Sequence, residues 1–250
     1  MTAHQLIIFY CCPVCVTFSD ATHLSPESAV LTFNCSQAAC DFFSRIHKGK
    51  KITPIEKVVA LSAGDTELQA DPEQWLVHAA TVKRKHVLVV IHLKTRYSML
   101  FFDMAKADDA SFVQAFIHRW VDGVMDMALK CGVLDMIDPQ ACARLMSDAG
   151  QSYRLLQRGD RSSQTQINEI LRVFKWNAED FDFVTQPWSA RRYDVGINRT
   201  PRTIAGIKGY GWPDQEMLIH WLTAVGGVDA ATAQRAREQY RQASLSGAMP

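Results

Sequence analysis

The chain has 250 residues, 48% of them hydrophobic and 21% charged, with a net charge of +1. Such a chain can bury a substantial core, is not intrinsically disordered, and carries no global field steering it to nucleic acid or membrane. Any affinity of that kind has to come from local patches.

The first feature is "LIIFYCCPVCVTF", Leu6 to Phe18, with three cysteines in an apolar run. No Lys or Arg precedes Arg45, so the charged start of a secretory signal is missing. The run is also shorter than the roughly 20 apolar residues a membrane span needs. The expectation is a cytoplasmic protein with no membrane partner. Seven cysteines, an odd number, argue against a disulfide framework there. Cys12 and Cys15 with Cys35 and Cys40 could offer four thiolates to zinc. Against this, Pro13 and Val14 sit in an apolar run, not a polar Gly-bearing turn. The preferred reading is free, buried cysteine, with no metal and no cofactor.

Further along, Ala29–Phe33 predicts a short strand running into a helix capped by Asn34 or Ser36. Residues 48–74 read as a long connection with one short element around Ile55–Leu61, long enough to cover a site. "QWLVHAATV", "HVLVVIHL" and "RYSMLFFDM" are β-branched and aromatic runs broken by "KRK" and "KT". They predict an antiparallel meander whose first hairpin turns around Lys85. Asp108, Asp109 and Ser111 then open a long helix with Phe112, Phe116, Trp120, Val124 and Met127 at helical spacing, closed by Cys131-Gly132. A second helix has Asp138 as N-cap, Pro139 at its first position and Gly150 as its stop. "SYRLLQ" reads as a short strand and "RSSQTQINEILRVFKW" as a helix; residues 177–189 read as irregular. Asp214 and Asp229 mark two last helices. The class is α+β: a small antiparallel sheet, the three-strand meander plus the N-terminal strand, covered by several helices.

From about Val30 to Leu218 the chain resembles a bacterial family known as domain of unknown function 6933. The resemblance rests on "LTFNCSQAACDFF", on Trp75, "KRKH", Thr95 and Ser98, on Asp160, Arg161, Ser162 and Asn168, and on "INRTP", Ile197–Pro201. It implies a fold and no chemistry. Two strand asparagines of the family pattern stand here as His78 and His92, and the Asn before Arg-Ser as Asp160. The resemblance also suggests three parts: an extension over 1–29, the family domain over 30–225, and a C-terminal helix and tail over 226–250. With no Met between Met1 and Met99, Val30 is the expected translation start; an extra edge strand is the competing reading.

His78 and His92 are the candidate acid–base residues, expected opposite or diagonal on adjacent strands. The ordinary alternative is two strand residues without a role, and spacing fixes no third metal ligand. Arg161, Ser162, Asn168, Asn198 and Arg199 are candidate ligand-binding residues, since a guanidinium and free amides at a helix start hold phosphate or carboxylate. A structural network between helices is the equal alternative. Lys83, Arg84, Lys85, Arg96 and Arg202 could follow a nucleic-acid backbone, although solvated turns are the commoner fate of such charges. The favoured reading is a protein binding nucleic acid or a phosphate ligand. The alternatives are an enzyme on a small anionic substrate, and an interaction module docking a protein partner through an apolar patch around Trp212, Leu218 and Trp221.

Overall fold

The computed structural model describes residues 31–57, 73–180 and 187–246. The strands are β1 (Leu31–Cys35), β2 (Arg45–His47), β3 (Lys50–Ile52), β4 (Glu56–Lys57), β5 (Gln74–Val82), β6 (Lys85–His92), β7 (Ser98–Phe102) and β8 (Tyr153–Gln157). The helices are α1 (Gln37–Phe43), α2 (Asp109–Cys131), α3 (Pro139–Gln151), α4 (Arg161–Asp180), α5 (Pro187–Asn198), α6 (Pro213–Ala224) and α7 (Ala230–Leu245).

The class is α+β, but the sheet is mixed and not purely antiparallel. Six strands lie in the order β4-β8-β1-β5-β6-β7, and β2 pairs with β3 in a separate two-stranded ribbon. β5, β6 and β7 form the expected antiparallel meander. β1, by contrast, lies parallel between β5 and β8, and β4 runs parallel to β8. That position explains its sequence: all five residues of β1 are buried, as expected of a strand covered on both faces. The hairpin turn is Lys83-Arg84 rather than Lys85. Both residues are left-handed, with φ of 46° and 64°, the backbone of a two-residue type I′ turn.

Helix signals held where a cap side chain was available. Asp108 accepts from the Ser111 amide and Gly132 closes α2 in the left-handed region. Ser36, Asp138 and Asp229 cap α1, α3 and α7. Gly150 does not stop α3, which runs on to Gln151. Trp212, not Asp214, is the N-cap residue of α6, and Asp214 is buried. α4 continues to Asp180 and α5 begins at Pro187, so much of 177–189 is helical.

The sheet separates two apolar clusters. On the front face, α1 and α2 cover Phe33, Trp75, Val77, Leu88 and Val90, with α3, α6 and α7 stacked on α2. Rings meet edge to face there: Trp75 with Phe116 at 4.7 Å and 82°, and Trp120 with Trp221 at 4.8 Å and 82°. On the back face, α4 lays Ile167, Ile170, Leu171 and Phe174 over Leu76, Val87, Val89, Ile91 and Leu100. α5 packs against β7. Leu218 and Trp221 belong to the front core, so the apolar patch expected around Trp212 is not a surface; only Trp212 is exposed.

Candidate functional site

The β6–β7 turn is where the scattered sequence motifs meet. It closes through His92 N–H donating to the Tyr97 carbonyl at 2.8 Å, with Arg96 left-handed at φ 64°. From it, the Arg96 guanidinium reaches the start of α4, donating to the Ser163 hydroxyl and, at 3.1 Å, to the Ser162 hydroxyl. Asp160 stands 3.7 Å from Arg96 and accepts the Ser163 amide at 2.6 Å, which caps the helix. Burial works against charge on Asp160. The Ser163 hydrogen bonds and the Arg96 and Arg158 charges outweigh it and hold the carboxyl below its ordinary range.

Next to the turn, α5 satisfies the outer side of β7. The Asn198 Oδ1 accepts Ser98 N–H at 2.7 Å, its Nδ2 donates to the Ser98 carbonyl at 2.7 Å, and Asp194 accepts Leu100 N–H at 2.9 Å. The spacing is what makes this possible. Four residues of helix rise about 6 Å and two residues of strand about 6.7 Å, so positions 194 and 198 match 100 and 98. Gln166 of α4 donates to the Arg96 carbonyl and the Ser98 hydroxyl, joining both helices to one turn.

Asp194 pairs with Arg119 of α2, yet burial outweighs that charge and pushes its carboxyl up to about 6. Around it is a small cavity of about 30 Å³, lined among others by Tyr97, Arg119, Asn198, Arg199 and Asp214 and roomy enough for one water. Burial, with the Asp194 charge, raises the Tyr97 hydroxyl well above its usual range. Gly123 makes room for that hydroxyl: a Cβ there would stand 2.6 Å from it.

The expected ligand-binding residues are spread among these partners. Ser162 is held by Arg96, Asn198 by β7, Asn168 by Gln164 at 3.2 Å, and Arg199 stands 3.7 Å from Asp214. The Arg161 side chain lies outside the described residues. His78 and His92 are not neighbours: His78 is level with Val89, and His92 with Trp75. That offset of three residues also puts them on opposite faces of the sheet. His78 faces the back, where its Nδ1 meets the Ser36 hydroxyl at 2.9 Å and burial lowers its pKa. His92 faces the front, against Trp75 and His220. Cys35 and Cys40 are both buried; their thiols reach the carbonyls of Phe33 and Cys35 at 3.7 and 3.6 Å. Burial raises both thiol pKa values, and Cys12 and Cys15 lie outside the described residues.

The five basic candidates divide between the two ends of β6. Lys83 and Arg84 are exposed at the hairpin tip, where Lys85 pairs with Asp103 at 2.9 Å. Arg96 lies at the other end, about 26 Å away along an eight-residue strand. Arg202 pairs with Glu169 at 3.2 Å and forms a bridge with Gly211.

Arg202 also lines a wider concavity. This groove of about 390 Å³ runs between α4 and α5. Its floor is apolar, with Ile170, Val173 and Ile197. Its walls carry Arg172, Arg192 and Arg202 against one carboxylate, Glu169, with Asn177, Tyr193 and Thr200 between them. Two features keep it open. Gly196 has no side chain, and a Cβ there would meet nothing within 4 Å. Phe174 and Tyr193 meet edge to face at 5.3 Å and 80°, bracing the two helices below the opening. The Arg202 Nε is buried with no hydrogen-bond partner, and burial lowers the pKa of its guanidinium.

The sequence had drawn no attention to Glu73, His220, Asp194 or Arg119. Glu73 sits at the edge of the segment read as a connection. His220, alone within the apolar run "MLIHWL", was the available signal. Glu73, His92 and His220 are the one group of potential metal ligands gathered among the described residues.

A mixed six-stranded sheet, carrying a helical pair clipped to its edge and a cationic groove between those helices, defines an α+β protein. Its sequence places it further: the chain belongs to the family described as Domain of unknown function (DUF6933), whose model matches residues 33–216. Compared with curated proteins, the chain has no match. Among the described residues, no helix is long and apolar enough to cross a membrane.

Proposed function

We propose that the protein binds a small anionic ligand with an apolar body in the groove between α4 and α5. The observation that carries this reading is a concavity of about 390 Å³ lined by Ile170, Val173 and Ile197 and by three arginines, Arg172, Arg192 and Arg202. That volume lies within the range of small-molecule sites. Guanidinium groups suit a carboxylate or phosphate, while Ile170, Val173 and Tyr193 suit an aliphatic or ring-bearing body. Nucleic acid fits less well, because the exposed Lys83 and Arg84 of the hairpin tip stand a strand length from Arg96, whose guanidinium is largely buried against Ser162 and Ser163.

The test is calorimetric titration of the full chain with inorganic phosphate, phenyl phosphate, benzoate and AMP, and with a short single-stranded RNA. Phenyl phosphate or AMP is expected to bind more tightly than inorganic phosphate. Arg202→Ala should weaken that binding at least tenfold, roughly the value of one charged hydrogen bond. Gly196→Leu, which fills the groove from a position with open space around it, should abolish binding. RNA bound more tightly than every small anion, and unaffected by Gly196→Leu, would move the function to nucleic acid. No binding by any probe would overturn the groove as a ligand site.

A further inference from the structure

We propose that Glu73, His92 and His220 form a binding site for a divalent transition-metal ion, independent of the groove. Three elements bring them together: Glu73 immediately precedes β5, His92 ends β6, and His220 lies on the buried side of α6. All three are at most 6% exposed. Their ligating atoms lie within 4.8 Å of one another. His220 Nε2 is 2.7 Å from Glu73 Oε1, and His92 Nε2 is 3.8 Å from Glu73 Oε2. Ligand atoms around a tetrahedral ion, about 2.1 Å from each, stand about 3.4 Å apart. The observed separations straddle that value, so small side-chain rotations suffice to seat an ion.

The surroundings favour the same use. The Thr95 amide N–H donates to the His92 Nδ1 at 3.3 Å, and the Thr95 hydroxyl lies 2.9 Å from the same nitrogen. Nδ1 accepts there, so the ring proton is on Nε2 and faces Glu73; an ion on Nε2 would shift it to Nδ1, where the Thr95 hydroxyl is the acceptor within reach. The Trp75 and His220 rings, each 4.8 Å from the His92 ring, limit its freedom to turn. Two imidazoles with one carboxylate form a borderline donor set, suited to zinc, cobalt or nickel rather than magnesium or calcium. An ion held there would tie the sheet to α6.

The test begins with the full chain, stripped with a chelator, desalted and titrated with cobalt(II) and zinc(II). One equivalent per chain is expected, with a melting temperature that climbs as free metal increases. The X-ray absorption spectrum of the cobalt form should show nitrogen and oxygen neighbours with the outer-shell pattern of imidazole. His92→Asn and His220→Gln should each weaken binding at least about 100-fold, more than the loss of an outer-shell partner costs. His78→Asn should leave it unchanged. A folded wild-type chain that binds neither metal overturns the proposal. Sulfur neighbours also overturn it, because they assign the ion to cysteine, and so do variants that keep wild-type affinity. If a variant does not fold, the wild-type absorption spectrum decides between imidazole and sulfur by itself.

Discussion

The two faces of the sheet are held by different physics. The front face buries rings: Trp75, Trp120, Trp221, Phe33, Phe112 and Phe116 are all fully enclosed. Edge-to-face contacts fix their positions by shape, so ring packing is the main constraint on the register of α2 on the sheet. The back face is aliphatic and thinner, with Phe102 and Phe174 its one stacked pair of phenylalanines among the described residues. Aliphatic contact tolerates sliding, and here the hydrogen bonds of Asn198, Asp194, Gln166 and Arg96 set the position of the helices. A face fixed at one end by polar clips can leave a groove open along its length. A face fixed by ring packing cannot.

This contrast can be broken by mutation, and the largest effect should come from the front. Trp120→Ala is expected to cost about 3–5 kcal/mol in chemical denaturation, through lost burial and the cavity it leaves. On the back, Asn198→Ala should cost about 2–4 kcal/mol, because it strands the buried amide and carbonyl of Ser98. Asn198→Asp, which turns a buried carboxylate oxygen onto the carbonyls of Ser98 and Asp194, should cost at least as much as Asn198→Ala.

Asp194 sharpens the contrast through pH. Its folded pKa of about 6 lies above the ordinary 3.8, so the protonated form is favoured in the folded state. Its contribution to stability is therefore fully present below about pH 4 and is lost as pH rises through about 6. The change is on the order of 2–3 kcal/mol. A carboxyl carbon resonance titrating near 6 would identify the residue, and a midpoint near 4 would refute the assignment.

Smaller effects are expected where neither mode of packing is touched. Gly196→Leu should leave stability within about 1 kcal/mol of wild type or raise it, since leucine is the better helix former. Any large loss would mean that the groove does not have the room described. At the hairpin tip, replacing Lys83-Arg84 by Asn-Gly relieves two left-handed residues and should stabilise by about 1 kcal/mol.

How far these features were legible depended on the range of the interactions that make them. The meander was readable because β-branched runs and polar breaks act locally, as do the caps Asp108, Asp138 and Asp229. The parallel insertion of β1 between β5 and β8 was not readable, since it joins residues 31–35 to 153–157 and no local signal encodes that pairing. Lys83-Arg84 hid the true turn because neither residue prefers the conformation that it adopts. Asn198 stood out as a polar motif, but only the match between helix rise and strand rise shows that it serves β7. His220 was visible as an isolated histidine, and its hydrogen-bond partner Glu73 came from 147 residues away.

The clip on β7 also has a consequence for how molecules behave in company. An edge strand offers amides and carbonyls to any passing chain, and pairing there is a common route to aggregation. Here Asn198 and Asp194 occupy those groups at Ser98 and Leu100. The clip that positions α5 thus also closes these β7 positions to pairing with a second molecule.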